Sequence, residues 1–127
     1  MNRSTFFQKV VDECNGKRQL NVPPFKTCEI LKICEDAITY RRGQSRFKVK
    51  LNDLYDATEH FSGCRVNTSD VKKFRPEVFD SKARPAGHDC NVSLLFMLLL
   101  RLEIAHELQG RGVRGDPYSV FVMKKDA

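Results

Sequence analysis

Residues Leu94 to Leu100 form a run of seven apolar side chains, which a chain of 127 residues has to bury away from water. A transmembrane helix needs about 20 apolar residues, whereas Arg101 ends this run and Glu103 follows it. Insertion into a membrane is therefore not expected. The sequence instead predicts one long helix from about residue 91 to 109, with Gly110 as its C-terminal stop.

This predicted helix is apolar on every side in its first half and on only one side in its second half. Such a pattern is typical of a helix that is covered on two sides near its start. The second side carries four large side chains, Leu95, Phe96, Leu99 and Leu100. They either complete the core of the same chain or form an interface for another protein or a second copy of this chain.

The remaining periodicities predict further helices and two strands. Helical spacing of apolar residues covers 4–15, 27–42, 52–62 and 67–75, and Pro76 interrupts the last of these or begins another turn. Ser4 is expected to cap the first helix. Residues 46–51 alternate like a strand, and β-branched and aromatic residues fill 118–125, so these two segments are expected to pair.

These elements predict a helix-rich α+β domain over residues 1–127 with a small antiparallel sheet. A winged-helix arrangement is a more specific alternative, because strands are expected near the pair of short helices over 52–62 and 67–75. The domain is also consistent with a piece cut from a longer protein.

Positive charge is concentrated in the first part of the chain. Residues 1–50 hold 11 Lys/Arg against 5 Asp/Glu, a net of +6, which equals the formal net charge of the whole chain. Within this part, residues 41–50 (RRGQSRFKVK) contribute five cations and no acid. Alternation along the predicted strand separates an apolar side from a basic side formed by Arg46, Lys48 and Lys50.

This basic segment is the strongest functional lead in the sequence. Nucleic-acid phosphates are bound by several cations displayed together, because binding then releases the counterions condensed on the nucleic acid. The candidate phosphate-binding residues are Arg41, Arg42, Arg46, Lys48 and Lys50. Lysine and arginine also protect an exposed edge strand from aggregation, so the same pattern has a purely structural explanation.

A second lead is the pair of predicted helices 52–62 and 67–75, which are joined by a turn around Gly63. This spacing is typical of a helix-turn-helix, whose second helix contacts nucleic acid. The candidate contacts there are Lys72, Lys73 and Arg75. Residues 51–90 hold 6 Lys/Arg against 7 Asp/Glu, a net of −1, so this lead is weaker than the basic segment.

Metal-binding and enzyme motifs are weak. Four residues offer nitrogen and sulfur ligands, His60, Cys64, His88 and Cys90. Their spacing does not match the usual zinc-binding pairs, so no metal and no cofactor is expected. His106-Glu107 begins like the zinc-protease motif HExxH, but Gly110 occupies the position of the second histidine.

The five cysteines are an odd number and include no CxxC pair, and the N-terminus has no continuous apolar signal segment. Both features favour reduced thiols in the cytoplasm or nucleus. The sequence therefore predicts a non-enzymatic intracellular module that binds RNA or DNA phosphates through a basic strand. The alternative is a protein-interaction or dimerisation subunit, an adaptor that uses the outer face of helix 91–109.

Overall fold

The structure is a computed structural model that describes residues 1–16 and 18–124. The chain divides into two compact units, Met1–Asp56 and Ala57–Ala127. Each unit contains helical residues and a small antiparallel sheet, which confirms the predicted α+β class. The extent of a single domain over the whole chain stays a prediction.

The first unit begins with helix α1, Arg3–Glu13. The side chain of Asn2 accepts a hydrogen bond from the Thr5 amide at 2.8 Å, so Asn2 caps the helix instead of the predicted Ser4. Asparagine is a preferred capping residue, and here it has the extended backbone that a cap requires. The buried Phe6 ring of this helix packs 5.6 Å from the Tyr55 ring.

Among the described residues of this unit, four strands follow and form one antiparallel sheet in the order β1-β2-β3-β4. They are β1 Arg18–Leu20, β2 Cys28–Cys34, β3 Ala37–Arg42 and β4 Ser45–Lys50. One side of this sheet is buried and includes Ile30, Ile38, Tyr40 and Val49. β4 therefore agrees with the strand predicted over 46–51, including its separate apolar and basic sides.

The helix predicted over 27–42 is wrong, because β2 and β3 form a hairpin there. A β-bulge between Ile30 and Lys32 inserts one residue, so inward side chains are three residues apart instead of two, and this imitates helical spacing. Both turn residues, Glu35 and Asp36, adopt a positive φ, of 53° and 61°. They are not the Asn-Gly or Asp-Gly pair that usually marks such a turn, so the sequence contained no clear hairpin signal.

Helix α2, Leu51–His60, starts directly after β4 and ends two residues before the predicted end. The Leu51 amide donates a hydrogen bond to the Asp36 carbonyl oxygen at 2.8 Å, which fixes the start of the helix to the β2–β3 turn. The division between the two units falls inside this helix, after Asp56.

The described part of the second unit adds short helices and a sheet of order β5-β7-β6. Its elements are β5 Arg65–Asn67, α3 Thr68–Phe74, α4 Pro76–Phe79, α5 Cys90–Arg101, β6 Ala105–Gln109 and β7 Ser119–Val122. Asn67 and Asp70 form a capping box at the start of α3. Pro76 is the first residue of α4, as predicted for a new turn at this proline.

Helix α5 ends at Arg101, so the single helix predicted over 91–109 is wrong. The amides of Ile104 and Glu103 donate to the carbonyl oxygens of Leu99 and Leu100, at 2.9 and 3.2 Å, which is the Schellman arrangement of a helix end. Glu103 takes the left-handed position of that motif, with φ 60°, where glycine is the usual residue. Within the described residues, no helix is long and apolar enough to span a membrane.

β7 pairs with β5 on one side and with β6 on the other. The predicted pairing of 118–125 with 46–51 is therefore wrong, because the two segments belong to different sheets. Neither β5 nor β6 was predicted as a strand, so the sequence left β7 without its actual partners. Residue 125 of the predicted strand lies outside the described residues. The winged-helix arrangement stays a prediction.

Candidate nucleic-acid-binding surface

The cross-strand register of the first sheet brings most of the candidate cations to one side. Lys48 lies opposite Thr39, which lies opposite Lys32 on β2. In the neighbouring row, Arg46 lies opposite Arg41. Residues directly opposite one another point to the same face of a sheet. We call this side the basic sheet face, and its cations are Lys32, Arg41, Arg46, Lys48 and Lys50, all of them exposed.

The charges of this face are mostly uncompensated. Of its five cations, only Arg41 forms an ion pair within the described residues. Its Nη2 lies 2.5 Å from Oε1 of Glu29, which belongs to the same row. Two further acids, Glu35 and Asp36, form the β2–β3 turn. This turn is at the end of the sheet where Lys50 pairs with Ala37, so Lys50 is the cation of the face nearest to these acids along the sheet. The least compensated charge therefore belongs to Lys32, Arg46 and Lys48.

Arg42 does not share this face. It lies opposite Ser45 beside the β3–β4 turn, and successive residues of a strand point to opposite sides, so Arg42 points away from Arg41. Its Nε atom is buried and has no hydrogen-bond partner within the described residues. The expected gathering of Arg41 and Arg42 on one surface is therefore not what the structure shows, because these residues form a strand and not the end of a helix.

Lys32 is a member of the face that sequence reasoning missed. The prediction of a helix over 27–42 hid it, because a helical Lys32 has no reason to lie beside Lys48. The available signal was the alternation of outward Lys32 and Cys34 with inward Ile33, but the bulge after Ile30 interrupts the alternation with the start of the strand. Only the β2–β3 pairing shows that Lys32 belongs with the cations of β4.

Aromatic side chains lie on the other side of this sheet. Tyr40 is fully buried, and its ring lies 5.3 Å from that of Phe47. Among the described residues, none of the paired positions on the basic sheet face is aromatic. The face can therefore contact phosphates through its cations, but it offers no ring on which a base would stack.

The second group of candidate cations lies in the second unit. Strand β5 separates α2 from α3, so the two helices are not joined by the short turn that a helix-turn-helix requires. Lys72 Nζ lies 2.9 Å from Oδ2 of Asp89, and the Arg75 guanidinium lies 5.0 Å above the Phe74 ring. Of the three cations Lys72, Lys73 and Arg75, only Lys73 is exposed. These charges are less available to phosphate than those of the basic sheet face.

Asp89 ties the loop that precedes α5 to its surroundings. Its carboxylate accepts hydrogen bonds from the Ser81 amide at 2.8 Å and from Lys72 Nζ at 2.9 Å. Partial burial raises the pKa of Asp89, but the hydrogen bond from the Ser81 amide and the Lys72 ammonium outweigh it and hold the pKa below its ordinary value of 3.8. The folded chain therefore favours the ionised carboxylate.

Asp89→Asn is expected to lower the melting temperature at pH 7 more than at pH 3. A carboxylate whose pKa is lowered on folding stabilises the fold above about pH 4, and this contribution is lost as the pH falls through the folded-state pKa. Circular dichroism melts at both pH values measure the difference. Asp12→Asn, at an exposed position on α1, is the control. An equal decrease at both pH values for Asp89→Asn would contradict the role of the ionised group.

The residues of the predicted interaction face lie on α5. Leu95, Phe96 and Leu99 are 2%, 1% and 1% exposed, and Leu100 is half-buried. Within its own unit, α5 contacts α3, α4 and β6. Leu95, Phe96 and Leu99 are thus covered in the folded chain, and only Leu100 of the four is partly open. The protein-interaction hypothesis stays a prediction that this geometry does not favour.

The candidate metal ligands do not converge. Within the described residues, no group of three or more His, Cys, Asp or Glu side chains could hold a metal ion. The His60 ring packs against Phe61 and Phe74, with centroid distances of 4.7 and 4.5 Å. All five cysteines are free. His106 lies on the strand β6. The HExxH motif places its zinc ligands on one face of a helix, so His106 and Glu107 do not have the geometry of that motif.

The structure thus brings four of the candidate residues together on one exposed face, Arg41, Arg46, Lys48 and Lys50, and adds Lys32 to them. It directs Arg42 to the opposite side and places Lys72, Lys73 and Arg75 in the other unit. The chain matches no protein-family model, no curated protein and no solved structure with which it was compared.

Proposed function

We propose that this chain is a non-enzymatic module that binds RNA or DNA by contacting phosphates with the basic sheet face. The observation that supports this proposal is the register of β2, β3 and β4, which aligns five exposed cations on one side of a sheet. One carboxylate, that of Glu29, lies in the same rows. A nucleic acid supplies the regular line of negative charges that such a face lacks.

The spacing of the cations suits a polyanion. Neighbouring strands lie about 4.8 Å apart, and residues two apart on one strand are about 6.8 Å apart. The sheet holds the five cations in these positions before any ligand binds. The free energy of their mutual repulsion is therefore a cost of folding, and binding of an anionic ligand relieves it. Binding also releases counterions from the nucleic acid, which makes the affinity depend on salt.

The competing explanation is that these cations only protect a sheet edge from aggregation. β4 is an edge strand, and its Arg46, Lys48 and Lys50 fit that explanation. Arg41 does not, because it lies on β3, between β2 and β4. Lys32 lies on β2 beyond Cys28–Ile30, the residues that pair with β1. A basic face that continues onto the interior strand β3 favours a ligand over edge protection.

The dependence of affinity on salt is the first test of the proposal. If the four cations without an ion pair each contact a phosphate, the log–log slope of affinity against salt should be about −3.6 for duplex DNA and about −2.8 for a single strand. Fluorescence anisotropy with a labelled 30-base-pair duplex and a labelled 30-nucleotide RNA measures both slopes. A slope near zero for both probes would refute phosphate binding.

The double variant Arg46→Glu/Lys48→Glu is expected to reduce affinity at 0.1 M salt by roughly 10- to 100-fold and to halve the salt slope, because two of four phosphate contacts are lost. The matched control is Lys9→Glu/Lys82→Glu, which makes the same change in net charge at exposed positions outside the face. Equal losses in the two double variants would show that net charge, and not this face, attracts the nucleic acid.

We also infer that the module works in the cytoplasm or the nucleus. All five cysteines are free, and two of them, Cys14 and Cys28, are buried where a thiol packs as a small apolar group. A reducing compartment would keep them in this form. Fluorescent tagging of the chain in cells, with the tag at either end, tests the location.

A further inference from the structure

The sheet of the second unit has an outer side that differs from the basic sheet face because it carries an aromatic ring at its centre. Its inner side is apolar, with Val66, Val120 and Val122 buried. On the outer side, Phe121 of the central strand β7 lies opposite Arg65 of β5 and opposite His106 of β6. Phe121 is only half-buried, although both of its neighbours along β7 are buried. An aromatic ring in the middle of a sheet is thus left partly open.

A bulge in β6 brings one further polar side chain to this outer side. The register shifts between His106 and Gln109, so these two residues, three apart in the sequence, lie opposite Phe121 and Ser119, which are two apart. Bulges redirect side chains in this way and are frequent beside binding sites. The exposed amide of Gln109 therefore lies one row from the Phe121 ring, and it can both donate and accept hydrogen bonds.

Arg65 is fixed across the same outer side. Its Nη1 donates to the Glu107 carbonyl oxygen and to the Ser119 hydroxyl oxygen, each at 3.0 Å, and its Nη2 lies 3.2 Å from Oε2 of Glu107. These contacts span from β5 to β6 and hold the planar guanidinium in one place. The His106 ring lies 5.3 Å from the Phe121 ring. The His106 ring therefore lies beside Phe121, and Arg65 is the residue paired with Phe121 on its other side.

We propose that the outer side of this sheet, centred on Phe121 with Arg65, His106 and Gln109, binds an unpaired base of a single-stranded nucleic acid. A base would stack on the Phe121 ring, as bases stack on aromatic side chains of open sheets. The Gln109 amide would meet a base edge, and Arg65 and His106 would border the stacked ring. This inference rests on the proposed function, since it names single strands as the preferred form of the ligand.

The composition of this side favours a base over a protein partner. A protein interface needs an apolar core made of several large side chains. Here the row of paired residues contains one aromatic ring, and the adjoining row is Asn67, Ser119 and Gln109. Of the two most exposed large apolar side chains in the described chain, Val113 lies outside this sheet. Met123, two residues after Phe121, adds one flexible side chain to the same outer side. The Phe121 ring, with one thioether beside it and hydrogen-bonding groups around it, has the size and chemistry to accept one base.

The test compares two labelled 12-nucleotide single strands, oligothymidylate and the same backbone with abasic sites. Both carry the same phosphates, so only the bases differ. Fluorescence anisotropy with the whole chain is expected to show at least roughly tenfold tighter binding of oligothymidylate. Phe121→Leu, which keeps an apolar side chain but has no ring, is expected to bind the two strands equally. Phe121→Tyr, which keeps the ring, is expected to behave like the unaltered chain.

Two outcomes would overturn the inference. The first is equal binding of both strands by the unaltered chain, and the second is a preference for oligothymidylate that survives in Phe121→Leu. Thermal melts of both Phe121 variants show whether the fold is intact. If Phe121→Leu does not fold, the comparison of the two strands with the unaltered chain still decides, because equal binding overturns the inference. The salt slope separates this inference from the proposed function, because Phe121→Leu should leave the slope unchanged whereas Arg46→Glu/Lys48→Glu should halve it.

Discussion

Phe96→Glu is expected to unfold the second unit at 25 °C. Phe96 is 1% exposed on α5, a helix with eight buried residues. Loss of a buried aromatic side chain costs about 3–5 kcal/mol, and an unpaired buried carboxylate adds several kcal/mol more, on the order of the entire stability of a domain. Far-UV circular dichroism and urea titration at pH 7 measure the loss directly.

The control for this variant is Leu100→Glu on the same helix. Leu100 is half-buried, so its carboxylate keeps access to water, and a smaller loss of stability is expected. The pair of variants also decides the alternative function. If Phe96→Glu folds normally and changes the mass of the protein in solution or its capture of a partner, Phe96 belongs to an interface and the protein-interaction hypothesis gains its first support.

Gly87→Ala is expected to cost about 3 kcal/mol or more of folding free energy. A Cβ atom at this position would lie 2.1 Å from the Asp80 carbonyl oxygen, 2.6 Å from that of Pro76 and 2.9 Å from that of Ala83. All three are backbone atoms, so no side-chain rotation can relieve the clash. The loop between α4 and α5 would have to move as a whole. Urea titration of the variant measures the cost.

Gly115→Ala is the matched control for that substitution. Gly115 has a φ of 83°, but no atom lies within 4 Å of the point that a Cβ would occupy, so only the cost of the left-handed backbone, about 1 kcal/mol, is expected. A Gly87→Ala variant within about 0.5 kcal/mol of the unaltered chain would contradict the close packing of this loop, since that range is typical of surface changes without steric conflict.

The sequence was sufficient where a local signal decides the structure. Alternation over 46–51 predicted β4, apart from Leu51, and the outward direction of Arg46, Lys48 and Lys50 correctly, because neighbouring residues of a strand without a bulge point to opposite sides. A helix was predicted to open at Asn67 or Thr68, and α3 begins at Thr68 with Asn67 as its cap. A new turn at Pro76 was one of two predictions for that residue, and α4 begins there. Capping and proline geometry act within a few residues, so distant parts of the chain do not change them.

Prediction failed where residues other than glycine or asparagine adopt a positive φ. Glu35, Asp36 and Glu103 all adopt a positive φ, a conformation for which glycine or asparagine is the usual sequence signal. Two of them form the β2–β3 turn, and the third ends α5. Because no such signal was present, a hairpin was predicted as a helix, and α5 was extended through β6.

The sequence by itself determined the α+β class, the basic character of β4 and the burial requirement of the run Leu94 to Leu100. These depend on composition and on periodicity within one segment, which are properties of the chain before it folds. Only the tertiary structure decided the strand partners, and with them the functional candidates. It added Lys32 to the basic sheet face, removed Arg42 from it and placed Phe121 between Arg65 and His106. Strand pairing joins residues that are far apart in the chain, and one bulge changes which of them share a face, so no local pattern could have shown it.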